Sequence, residues 1–110
     1  MEDFLMARFH VYENESHQAK NTPFLLDVQT DLLNSLDTRV VIPLRMASLY
    51  DSHKLPKDLM PLFLIAGRKC VLETPKMAAV PTRILKKTVG NLIAEQNRVI
   101  TAIDRLFHGF

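Results

Sequence analysis

The side chains with the widest chemical range in this sequence are four histidines, one cysteine and a pair of closely spaced aspartates. His10, His17, His53 and His108 are scattered, with none three or four residues from another, and Cys70 stands alone. A structural zinc site draws on several nitrogen or sulfur donors delivered in short spaced pairs, so this set gives no metal motif. Asp27 and Asp31 are close enough in sequence to be weighed as a general acid/base pair. Asp27, however, falls where a strand is expected to turn its side chain to solvent, and Asp31 opens a turn. The structural reading is the stronger for both. Ser16, Ser35, Ser48 and Ser52 lie in polar loops or turns, without the strand–turn–helix setting of a nucleophile elbow. Gly67, Gly90 and Gly109 are too far apart to cradle a phosphate. Nothing in these types and spacings supports catalysis, a cofactor or a metal.

Composition narrows the class further. A chain of 110 residues, 47% apolar, is expected to form one domain over 1–110 with a modest core. Residues 1–7 read as a flexible N-terminal extension, with Met6 an alternative start. Fourteen basic and twelve acidic residues leave a net charge of +2 with no block of one sign, which argues against a segment devoted to nucleic acid. A lone cysteine fits a reducing cytoplasm. The longest apolar run, Leu59 to Ala66, is interrupted by Pro61 and is far too short to span a membrane. The first seven residues lack the basic and apolar regions of a signal peptide.

Around these residues the chain reads as short strands followed by a helix. Phe9 to Tyr12 alternates with the period of a half-buried strand. Glu13 to Pro23 is a polar loop, and Phe24 to Val28 a second strand. Asn34, Ser35, Asp37 and Thr38 mark a turn, because their side chains bond nearby backbone. Arg39 to Leu44 is a third strand, expected to end at Pro43 or to lie at an edge, since proline cannot donate to a ladder. Arg39 itself reads as a solvated strand residue. Met46 to Lys57 is a second long connection. Met60 to Ile65 and Lys69 to Glu73 form a hairpin about Ala66-Gly67-Arg68, and Thr74 to Met77 is another turn.

The final stretch, Val89 to Phe110, carries apolar residues at helical spacing: Val89, Leu92, Ile93, Val99, Ile100, Ile103, Leu106, Phe107 and Phe110. Gln96 interrupts that stripe, and Glu95, Arg98, Asp104 and Arg105 fill the opposite surface. Asn91 is the expected N-cap and Gly109 the expected stop. About five strands then one helix predict an α+β domain, mostly β, with the helix laid over a small antiparallel barrel or sheet.

Four ordered motifs resemble one family. They are Asp27-Val28-Gln29-Thr30-Asp31-Leu32-Leu33, Arg39-Val40-Val41-Ile42-Pro43-Leu44, Met77-Ala78-Ala79-Val80-Pro81, and Ala102-Ile103 with the Gly109-Phe110 ending. Together, from about Phe9 to the terminus, they are similar to the CcdB toxins of ccd toxin–antitoxin modules. The resemblance implies an SH3-like small antiparallel barrel with an added small sheet and a C-terminal α-helix. It also implies a bacterial, cytoplasmic homodimer that is not an enzyme. Such a toxin binds the GyrA subunit of DNA gyrase and traps the enzyme on cleaved DNA. A CcdA-type antitoxin would neutralise it, and toxin and antitoxin together would bind operator DNA and repress their own transcription.

The gyrase-binding positions implied are His108, Gly109 and Phe110, with Gln96 and Asp104 on the same helix. Gly109 matches the family ending. Phe110 stands for an isoleucine and Gln96 for a glutamate of the plasmid-type toxin. His108 departs, replacing a tryptophan whose ring stacks on a gyrase arginine; imidazole offers a smaller face for such stacking. Arg98 and Arg105 offer the helix a basic surface toward an acidic antitoxin. Two further classes stay open: a toxin homologue that keeps antitoxin binding and autoregulation without gyrase poisoning, and an endoribonuclease of the MazF type built on the same superfold.

Overall fold

The computed structural model describes residues 7–33 and 35–109. The expectations placed on residues 1–6, on Asn34 and on Phe110 lie outside the described residues. Among the described residues seven strands, β1 (His10–Glu13), β2 (Phe24–Asp27), β3 (Thr38–Met46), β4 (Leu62–Ile65), β5 (Arg68–Leu72), β6 (Ala78–Pro81) and β7 (Thr88–Asn91), precede one α-helix, α1 (Gln96–His108). The strands form one antiparallel sheet in the order β4-β5-β3-β2-β1-β7, with β6 also paired to β3. The sheet curls into a half-barrel capped by the C-terminal helix, in keeping with the α+β small-barrel expectation.

Strand periodicity builds two cores on the two faces of the sheet. Val11, Leu26, Ile42 and Leu44 join Phe63, Cys70, Leu72 and Leu92 in the larger one, where Val99 and Ala102 of α1 also insert. Tyr12 and Val41, one residue out of phase with these, turn the other way and pack with Leu85. Phe9 enters β1 in the left-handed region at φ 72°, a conformation that costs about 1–3 kcal/mol for a bulky residue. It is held there by bonds from its N–H to the Asp27 carbonyl (2.6 Å) and from the Leu92 N–H to its own carbonyl (2.8 Å).

β3 does not end at Pro43. Its first half, Thr38–Val41, pairs with β6, and its last three residues, Leu44–Met46, pair with β5, while β2 runs along its other side. Pro43 falls in the gap between β6 and β5. Its carbonyl accepts from the Glu73 N–H at 2.9 Å. In an antiparallel strand one residue's N–H and C=O point the same way, so the missing donor of Pro43 faces that gap. No rung to β2 is lost, and the strand is interior.

The hairpin is as expected: Ala66 and Gly67 both adopt positive φ (49° and 79°), the pattern of a two-residue turn that matches strand twist. The helix is shorter than expected. Thr88–Asn91, which overlaps the expected helix start, is β7, antiparallel to β1. Thr88, Val89 and Gly90 are poor helix formers, and pairing with β1 decides the matter. Asn91 Oδ1 accepts from the Ile93 N–H at 3.1 Å, which initiates the short 3-10 turn Ile93–Glu95 rather than capping α1. The stop at Gly109 is where it was expected: Gly109 is left-handed, and its N–H closes on the Arg105 carbonyl at 3.0 Å.

Candidate functional site

Helix α1 buries Val99 and Ala102 completely and leaves the rest of its circumference to solvent or partial cover. Gln96, Ile100, Asp104 and His108 follow one another at four-residue steps and so share one face, with Phe107 beside it. Twelve residues at 1.5 Å rise put Gln96 and His108 about 18 Å apart, at opposite ends of that face. The structure therefore gathers Asp104 and His108 with Phe107 at the C-terminal end, and sets Gln96 apart at the first turn. Gln96, Asp104, His108 and Gly109 are all exposed. Phe107 is 63% exposed.

The arginines of this helix are engaged within the chain. Arg105 donates to the Gly109 carbonyl (3.0 Å) and to Asp58 (3.2 Å), tying the helix end to the 56–60 segment. Arg98 donates to the Leu62 carbonyl (2.7 Å) and to Glu95 (2.9 Å), with its guanidinium 4.3 Å above the Phe63 ring. These contacts fix the helix on β4. Both side chains remain exposed, so these contacts are made on a solvated face.

A second apolar projection lies on the turn between β2 and β3. Leu32 is 92% exposed, and Leu33 and Leu36 are 46% exposed each. Sequence reasoning named Leu32 and Leu33 only as part of a family motif and gave none of the three a role. The signal was present as apolar residues inside a segment otherwise made of turn formers.

Beneath that turn lies a buried ion pair, where the expectation for both residues was solvent. Asp27 and Arg39 have no exposed side-chain surface. Arg39 Nε donates to Asp27 Oδ2 at 2.8 Å and Nη2 to Oδ1 at 3.0 Å, a bidentate fork. Nη2 also donates to the Gln29 carbonyl at 3.1 Å and lies 3.5 Å from Asp31 Oδ1. The register explains why neither side chain faces out. Asp27 sits opposite Val41, so Arg39, two residues earlier on β3, is its diagonal neighbour on the same face, above Tyr12 and Leu85. Burial pushes the Asp27 carboxyl up, while the Arg39 guanidinium pulls it back. Asp31, more than half exposed, does not form an acid/base couple with Asp27.

Remaining reactive groups are quiet. Burial raises the Cys70 thiol, which makes it a poor nucleophile. Tyr50 hydrogen-bonds Glu73, and its phenol is pushed up to about 12 by burial, by that bond and by the neighbouring carboxylate. Among the described residues no three His, Cys, Asp or Glu side chains gather as metal ligands, and no helix is long and apolar enough to cross a membrane. A cavity of about 780 Å³ is lined by Glu13, Lys20, Phe24, Met46, Arg68 and Val89.

The arrangement is suited to recognition by surface contact. Comparison with protein families agrees: residues 8–109 match the family model described as CcdB protein. The chain belongs to the CcdB family, whose members are gyrase-targeting toxins of toxin–antitoxin modules and not themselves enzymes.

Proposed function

We propose that this CcdB-family chain is a bacterial cytoplasmic toxin that binds the GyrA subunit of DNA gyrase and traps the gyrase–cleaved DNA complex. The observation that carries the reading is the helix end. Phe107 stands in solvent beside His108, and Gly109 ends the helix in the left-handed region. His108, Gly109 and Phe110 form the main contact, with Asp104 one turn before His108 and Gln96 at the far end of the same face. The exposed Leu32 turn is a second apolar contact to the same target, by the argument that large exposed apolar side chains on a folded domain mark interaction surfaces. No group on the chain makes or breaks a bond. The toxin acts by holding gyrase in its cleaved state.

The toxin works as a homodimer. A CcdA-type antitoxin neutralises it, and the pair binds operator DNA and represses the operon. A supercoiling and cleavage assay with purified gyrase tests the central claim. Stabilised cleaved DNA is the expected result; unchanged supercoiling with no stabilised cleavage at saturating protein overturns it.

One departure favours a second reading. His108 presents an imidazole where the plasmid-type toxin stacks a tryptophan. In that reading the protein keeps antitoxin binding and autoregulation and has lost poisoning. Tight antitoxin binding, with normal growth of cells expressing the protein alone, distinguishes it.

A further inference from the structure

The β2–β3 turn combines leucines that face outward with polar side chains that hold it from within. Gln29 is 8% exposed and bridges both ends of the turn. Its Nε2 donates to the Leu33 carbonyl (3.3 Å) and to the Thr38 carbonyl (3.2 Å), and its Oε1 accepts from the Val40 N–H (3.0 Å). The Gln29 backbone is fixed in turn. Its carbonyl accepts from Arg39 Nη2, and its N–H donates to Asp27 Oδ1 at 3.0 Å. Asp31, at the start of the turn, accepts from the Arg8 N–H at 2.9 Å. The Leu33 and Leu36 amides close on the Thr30 and Leu33 carbonyls, each at 3.2 Å.

We infer that Gln29, backed by the Arg39–Asp27 pair, is a positioning residue that holds the Leu32 turn in its target-binding shape before the target arrives. A surface loop that must be ordered on binding loses affinity to that ordering, and one fixed beforehand does not. The Gln29 bridge fixes this turn by bonds to its two ends, and the Leu32 N–H donates to Thr30 Oγ1 at 3.4 Å, while the Leu32 side chain stays outside the network. A purely structural role for Gln29 makes a different prediction: its removal would lower stability without acting through Leu32. The inference rests on the reading of the chain as a gyrase-binding toxin.

A double-mutant cycle separates the two roles. Affinity for purified GyrA is measured for the full-length wild type, Gln29→Met, Leu32→Ala and the double variant. Hydrogen exchange at Leu33 and Leu36 is followed alongside, without partner. Each single variant is expected to bind about tenfold more weakly, and the double variant no more weakly than Leu32→Ala alone. The Leu33 and Leu36 amides are expected to lose protection in Gln29→Met while core amides keep theirs. If Gln29→Met does not fold, Gln29→Glu takes its place, since it keeps the acceptor for Val40 and loses both donors. Additive losses in the cycle overturn the inference, as does wild-type affinity in a Gln29 variant. Wild-type turn amides that exchange at the rate of an unstructured peptide overturn it too. Failure of the wild type to bind GyrA overturns the toxin reading instead, and the exchange measurement still reports whether Gln29 pins the turn.

Discussion

Replacing Arg39 by methionine removes the guanidinium and keeps much of its volume. Asp27 then retains the Gln29 N–H at 3.0 Å and loses both arms of the fork, at a site with no exposed side-chain surface. Breaking one partner of a buried pair typically costs about 3–5 kcal/mol, because the other charge is left uncompensated. A second route gives the same size. If the buried carboxyl must take up a proton at pH 7, starting from an unfolded value near 3.9, about three pH units at 1.36 kcal/mol each come to roughly 4 kcal/mol. A domain of this size has only about 5–15 kcal/mol to lose.

The sign with pH follows from the same step. With Arg39 gone, the folded Asp27 carboxyl lies further above its unfolded value than in the wild type, so the folded state binds a proton that the unfolded chain releases. Stability of Arg39→Met should therefore rise as pH falls from 7 toward 4, by up to about 1.4 kcal/mol per unit, relative to wild type. Urea unfolding followed by circular dichroism at several pH values measures both effects. The double variant Asp27→Leu/Arg39→Met should recover most of the loss at pH 7, since an apolar replacement of a whole buried pair is often neutral. A loss below about 1 kcal/mol at neutral pH, with a pH profile parallel to wild type, would falsify the claim that this pair is buried and mutually compensated.

Four other outcomes are expected. In a spectrophotometric titration of the folded protein, neither Tyr12 nor Tyr50 should ionise near pH 10, because burial raises both and Tyr50 reaches about 12. For Tyr50, a folded value above the unfolded one means that this stabilisation is complete below pH 10 and is lost as pH climbs through 12; a tyrosine titrating at its free value in the native protein refutes it. Leu72→Ala, at a fully buried position, should cost about 2–5 kcal/mol in chemical denaturation, and a loss under 1 would mean the site collapses around the gap. Gly109→Ala forces a side chain into the left-handed region at φ 79° and should destabilise the helix end by about 1 kcal/mol. It should also weaken gyrase binding, and unchanged affinity would separate the chain end from the contact. Deleting residues 108–110 should abolish gyrase poisoning while leaving the thermal midpoint within a few degrees of wild type; persistent poisoning would remove the helix end from the mechanism.

The hairpin and the Gly109 stop were legible because each rests on chemistry local to a few residues. A two-residue left-handed turn selects Gly67, and a left-handed stop selects Gly109. The strand β7 was not legible, because Val89 and Leu92 suit a helical stripe as well as a strand, and only the partner β1 resolves the choice. Pro43 misled for the same reason: its cost depends on which side of the strand the absent donor faces, which register alone fixes. Residue type alone assigns Asp27 and Arg39 to solvent. That rule fails when two charges meet as diagonal neighbours on one buried face. The helix face carrying Gln96, Asp104 and His108 could be drawn from spacing, whereas the exposure of Leu32 needed the turn's actual course.

The pairing of β1 with β7 has a consequence for synthesis. His10 meets Asn91, so a strand made near the start of translation waits for one made near its end. The half-barrel cannot close on a nascent chain still missing its last quarter, and loop closure over that length is slow. A ribosome that stalls before β7, or a message cut short, yields a product with an open sheet and no helix to wield.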